Sequence, residues 1–268
     1  MTAQARLRTL TRDGVSLAFA ETPGDGPPVL LVHGWCCDQS YLAPQADHFA
    51  ALGRRVVAVD LRGHGASDKP VQPYPMEAFS DDLAWLCGEL GLERSLVVGH
   101  SMGGIVGFDL SARRPDLVEA LVMIDAAVAL PAAARVAIPA FLEKLRGPDG
   151  AAALRAYVGA ALFIPTDDPD RRDRILDAMA AAPRHVMVAA FEGLRDYDPA
   201  TATARLRTPA LYVAADEPTP RTDLARLREL APDMLYGQTV GSGHFCQLEV
   251  PDQVDAMIER FLRVAVPR

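Results

Sequence analysis

Positive charge, cysteine and long apolar runs are all scarce in this chain of 268 residues. With 27 basic against 35 acidic residues, the formal charge is −8. Such a surface repels a phosphate backbone or an acidic bilayer, which excludes an electrostatic footprint for nucleic acid or membrane. The 4 cysteines, Cys36, Cys37, Cys87 and Cys246, have neither C-x-x-C nor zinc-ligand spacing. The adjacency of Cys36 and Cys37 also argues against a disulfide framework, so all four are read as buried free thiols, with no metal and no cofactor implied. No apolar run approaches about 18 residues without a charge or a turn former, and "MTAQARLRTLTRDG" lacks the apolar centre of a signal peptide. The expectation is a soluble, cytoplasmic protein whose partner is a small neutral or apolar molecule; oligomeric state stays open.

What is present is a globular composition, 50% hydrophobic and 23% charged, enough for one sizeable core. "RLRTLTRDGVSLAFAE" splits into two short runs at Asp13-Gly14, a hairpin signal. "PPVLLVHG" then begins a series of short, wholly apolar runs that recurs at Val56 to Val59, Ser95 to Val98 and Ala120 to Ile124. The intervals between them, such as "MEAFSDDLAWLCGEL", have helical periodicity. Wholly apolar strands alternating with amphipathic helices predict an α/β fold, a mostly parallel sheet with helices on both faces. Residues 126–199 are Ala-rich and helical, with breaks expected at Pro139, Gly147-Pro148, Pro165, Pro169 and Pro183. The domain reading is therefore a core of 1–125 and 200–268 with a helical cap inserted over 126–199. The sheet resumes at "TPALYVAAD", followed by a helix, a strand near "MLYGQTV" and a last helix, "PDQVDAMIERFLRV".

In an open parallel sheet the site forms beyond the carboxyl ends of the strands. There the sequence places His33-Gly34-Trp35, Asp60, Gly99 to Met102, Asp125, Asp216 and Gly243-His244. Ser101 sits in Gly99-x-Ser101-x-Gly103 between a strand and a helix, the context of a nucleophile elbow. Its alternative is a small residue that only caps the helix. His244, in "VGSGHF", is the candidate base. Of the other five histidines, His33 and His64 sit in glycine turns, His48 and His185 in helical patterns, and His100 faces away from its neighbour Ser101. Two carboxylates compete to orient His244: Asp216, favoured because it ends the strand before a proline-rich turn, and Asp125, which also ends a strand. Backbone N–H groups of Trp35 and Met102 are the expected oxyanion hole. Phe163, Tyr157, Met187 and Phe191 either line a pocket or pack.

With serine, acid and histidine in this order, "VLLVHGW", "VVAVDLRGHGASD", "VVGHSMGG", "TPALYVAADEPTP" and "VGSGHFCQLEVPDQV" resemble the landmarks of the α/β-hydrolase family from residue 30 onward. His-Gly-Trp with Ser-Met-Gly-Gly is similar to its arylesterases and its cofactor-free haloperoxidases or perhydrolases. That resemblance implies oxyanion donors at Trp35 and Met102 and a serine hydrolase cleaving a small ester or lactone. "HGWCCDQS" also resembles the cofactor-free 2,4-dioxygenases of the same fold. These deprotonate a heteroaromatic substrate with a histidine–acid pair, and in them, as in some lactonases and amide-cleaving relatives, the acid follows the earlier strand, as Asp125 does.

Overall fold

A computed structural model describes residues 5–218 and 220–266. The chain opens with the hairpin β1 (Arg6–Arg12) and β2 (Val15–Thr22), in register Arg12↔Val15. Asp13 and Gly14 both have positive φ, 50° and 79°, as a two-residue turn matched to strand twist requires. Then come β3 (Gly26–Val32), α1 (Ala43–Ala51), β4 (Arg54–Val59), α2 (Met76–Leu90), β5 (Ser95–His100), α3 (Met102–Arg113) and β6 (Val118–Ile124). Five helices follow without a strand: α4 (Ala132–Arg146), α5 (Gly150–Ala161), α6 (Pro169–Ala180), α7 (Arg184–Asp196) and the short α8 (Pro199–Ala202). The chain then returns to the sheet with β7 (Ala210–Ala214), α9 (Leu224–Leu230), β8 (Leu235–Gln238), α10 (Cys246–Glu249) and α11 (Pro251–Ala265).

Among the described residues 8 strands form one sheet in the order β1-β2-β4-β3-β5-β6-β7-β8. Only the hairpin and the β2–β4 pairing are antiparallel. Because β5 is buried at every position, it packs on both faces. Val97 joins a core with Phe79 and Leu83 of α2 and Ile105 of α3, whereas Leu96 and Val98 join a second core with Phe49 of α1 and Ile258 and Phe261 of α11. This is the three-layer arrangement that a parallel sheet needs to cover its two apolar faces. The strand order reverses between β3 and β5, so the loops after these two strands diverge and leave a crevice. No helix among the described residues is long and apolar enough to cross a membrane.

One expected break is absent, for α4 runs through Pro139. Ile138, Leu142 and Leu145 bury one face of that helix, while Pro139 and Arg135 are exposed. The carbonyl that loses its partner thus meets water rather than protein, and the packed face holds the helix together. Pro169 and Pro183 fall where proline is tolerated, at the first position of α6 and at the N-cap of α7.

Candidate active site

Ser101 is built by close approach of backbone. Its φ of 54° and ψ of −119° lie where non-glycine residues are rarely found, and hydrogen bonds from Ser101 N to Ile124 O (2.9 Å) and from Gly104 N to Ser101 O (3.0 Å) hold it there. Glycine is required around it: a Cβ on Gly103 would lie 2.1 Å from Val32 O, and one on Gly99 would lie 2.2 Å from Gly103 O. The result seats the start of α3 against the end of β3. Met102 is the first residue of α3, whose first-turn N–H groups have no intrahelical acceptor. Trp35 follows β3, is 5% exposed, donates from Nε1 to Met187 O (3.0 Å) and packs on Phe191 with ring centroids 4.6 Å apart.

His244 is buried, and its Nδ1 lies 2.6 Å from Asp125 Oδ2. The structure thus brings Asp125, and not the favoured Asp216, to His244. Asp216 is exposed, its Oδ2 accepts from Gly241 N (2.8 Å), and its own N–H donates to Ser242 O (2.9 Å). The reason lies in how the strands end. β5 and β6 pair as far as His100↔Ile124, so Ser101 and Asp125 leave the sheet side by side. The chain after β7 then places Ala215 N, rather than the Asp216 carboxylate, against Asp125, where it donates to Oδ1 (3.2 Å).

Three residues that sequence reasoning did not select complete the arrangement. Arg221 donates from Nε to Asp125 Oδ2 (3.0 Å), the same oxygen that faces His244. His100 donates from Nε2 to the His244 carbonyl (2.9 Å), so it supports the backbone of the candidate base. Asp167, between α5 and α6, accepts from Gly243 N (2.9 Å) and Ile164 N (2.8 Å). A Cβ on Gly243 would stand 2.5 Å from Asp167 Oδ2, which explains the glycine before His244. Their sequence signals were weak: a lone arginine in a proline-rich loop, a histidine discounted for its direction, and one aspartate in an acidic stretch.

Burial acts first on both ionisable partners. For Asp125 it would raise the carboxyl, but the hydrogen bond from His244 and the Arg221 cation outweigh it and hold the group below the usual carboxylate range. For His244, burial and then the Arg221 cation outweigh the help of Asp125 and hold the imidazole below its ordinary value of 6.5. The resting pair is thus a carboxylate with a neutral imidazole whose Nδ1–H points at Asp125, leaving Nε2 free to accept a proton. A candidate base must be unprotonated to act, so activity that depends on His244 persists as pH falls to the depressed value and is lost below it. The acid limb of kcat/KM is accordingly expected at a midpoint under 6.5. A midpoint above that value in a pH–rate profile would contradict a neutral, cation-flanked His244.

A cavity of about 890 Å³ brings Ser101, His244 and Trp35 to one wall. The opposite wall comes from the helical segment, chiefly alanines of α4 and α5 together with Phe141, Tyr157 and Phe191. Tyr157 and Phe191 therefore line it, while Met187 is buried beneath Trp35 and Phe163 stacks on Phe245 at 5.3 Å. Glu217, Arg221 and Lys144 are its charged members. Cys36, Cys37, Cys87 and Cys246 are free and buried, and burial raises each thiol well above its usual range, which leaves them unreactive packing groups. Among the described residues no cluster of metal-ligating side chains occurs.

A sheet that reverses order at β3/β5, with a strained serine turn at that point and a histidine–carboxylate pair beside it, defines an α/β hydrolase. The chain belongs to that family: the model for the alpha/beta hydrolase fold matches residues 27–162. Among curated relatives, the AB hydrolase superfamily protein YisY of Bacillus subtilis is 34% identical over 118 residues, 44% of each chain. Epoxide hydrolase 3 of Siraitia grosvenorii is 35% identical over 119 residues, covering 44% of this chain and 37% of its own. The matches thus span less than half the length of these relatives. A solved thermophilic esterase from Thermogutta terrifontis superposes over 99% of this chain and 100% of its own, with a TM-score of 0.83 and 26% identity.

Proposed function

We propose that the protein is a serine hydrolase cleaving a small ester or lactone with an apolar acyl part. The observation that carries this reading is the strained Ser101 turn opening into the same cavity as His244, whose far nitrogen is held by Asp125. Ser101 Oγ attacks the carbonyl carbon while His244 Nε2 takes the hydroxyl proton. The carbonyl oxygen becomes an oxyanion held by the Trp35 and Met102 N–H groups. Collapse breaks the bond to the leaving oxygen, to which His244 returns the proton, and the acyl group stays on Ser101. Water, deprotonated by His244, then releases the acid and restores the serine. Asp125 keeps the imidazole in the required tautomer and offsets its transient charge without accepting the proton. Residues 126–199 serve as a cap whose alanines and aromatics hold the acyl group.

The relatives are named for more than one chemistry, and the serine favours acyl transfer among them. A serine that opened an epoxide would be left as an ether, which this dyad has no means to cleave, whereas an acyl serine is an ester that water removes. The test is intact-mass spectrometry after treatment with a fluorophosphonate. One adduct on the folded protein, mapped to Ser101, is the expected result; none on well-folded protein defeats the reading.

A second reading shares the Asp125–His244 pair. In it the pair removes a proton from a heteroaromatic substrate that then reacts with dioxygen, and Ser101 only donates a hydrogen bond. Its support is the position of the acid after β6. Oxygen uptake with heteroaromatic substrates by a protein that fluorophosphonate does not label would favour it.

A further inference from the structure

Arg221 is the buried cation of the site, and its three contacts reach three different parts of the chain. Nε donates to Asp125 Oδ2 at 3.0 Å, and Nη2 donates to the Ala161 carbonyl at the end of α5 and to Glu217 in the loop after β7. Its side chain is only 16% exposed, similar to the 15% of Glu217, and it lines the substrate cavity. An arginine placed only to stabilise a loop has no reason to share one oxygen with the candidate base. Here the same Oδ2 receives both Arg221 Nε and His244 Nδ1.

Ala161 begins a strap that holds the base as well as the acid. The next carbonyl, of Leu162, accepts from His244 N (3.1 Å), and the Asp167 carboxylate accepts from Gly243 N. The end of α5 therefore touches the acid through Arg221 and the base directly.

We propose that Arg221 is a positioning residue of the active site, locking the Asp125 carboxylate between the α5 strap and His244 and setting how readily the imidazole is protonated. This rests on the Ser101–His244–Asp125 reading. Charge counting gives the direction. Asp125 alone would favour the imidazolium; Arg221 cancels that charge at the shared oxygen, and Glu217 in turn offsets Arg221. The other titratable groups around the cluster are neutral near pH 7. His100, whose ring lies 4.6 Å from that of His244, is held below its usual range by burial, while the Tyr212 phenol and Cys246 thiol that face Asp125 and the Tyr157 phenol that faces Arg221 are raised by it. Asp167 is committed to two backbone N–H groups, and Lys144, at the cavity's edge, is exposed to solvent. Arg221 is thus the cation that decides the balance, and removing it or its counter-charge is expected to move His244 in opposite directions.

The experiment is an NMR titration of the His244 imidazole, assigned with H244N, in the wild type, R221Q, R221K and E217Q. R221Q is expected to raise the midpoint by on the order of 1 unit, R221K to keep it near wild type, and E217Q to lower it. The acid limb of the fluorophosphonate labelling rate should follow each shift. An unchanged His244 midpoint in R221Q with intact thermal stability would overturn the proposal. If R221Q does not fold, E217Q decides: a midpoint that stays or rises counts against it. The titration needs no turnover, so an unlabelled Ser101 would remove the hydrolase reading while leaving the Arg221 result standing on its own.

Discussion

Ser101→Ala is expected to lower kcat/KM on an activated ester by about 10⁶-fold, with the melting temperature unchanged. Alanine adopts the φ of 54° at this turn at no greater strain than serine, and it fits the same space between Gly99 and Gly103. In the proposed mechanism what disappears is the atom that forms the acyl intermediate, so the histidine and the proposed oxyanion donors have nothing to act through. Residual hydrolysis would come from the polarised carbonyl and bound water alone. A loss of only a few-fold in steady-state kinetics would mean that Ser101 merely hydrogen-bonds its substrate, as the oxygenase reading requires.

Asp125→Asn should cost on the order of 10⁴ in kcat, whereas Asp216→Asn should stay within about twofold. The asparagine amide can present N–H to His244 Nδ1, which forces the proton onto Nε2 and leaves no acceptor facing Ser101. It also strips Arg221 of its charge partner at Oδ2. At position 216 an amide oxygen accepts from Gly241 N as well as a carboxylate does, and the site is solvated, so little is lost. Parallel kinetics on the two variants decide the matter. Equal tolerance would remove Asp125 from the mechanism, and a large effect at Asp216 alone would reverse the assignment.

The legibility of the site followed the range of the interactions involved. The turn at Asp13-Gly14, the apolar strands and the glycines flanking Ser101 are local matters, where a few adjacent residues dictate the backbone. His244 was legible for the same reason, since a glycine-rich loop after the last strand has few other uses for an imidazole. Pro139 shows the limit of local rules, because the burial of Ile138, Leu142 and Leu145 outweighs a single missing hydrogen bond on an exposed face. The acid was legible only as a choice between two residues. Asp125 and Asp216 both follow apolar strands, and chain order does not say which lies under the His244 loop.

By itself, then, the order of residues determined the alternation of strands and helices, the parallel sheet and the identity of the serine turn, because periodicity and glycine placement act within a few residues. Tertiary structure alone decided which carboxylate meets His244, the arginine that shares its oxygen and the strap from α5 that carries both. Those contacts join residues 60 to 119 positions apart. They depend on which strands become neighbours and where each strand ends, and that is settled only when the two faces of the sheet are buried together.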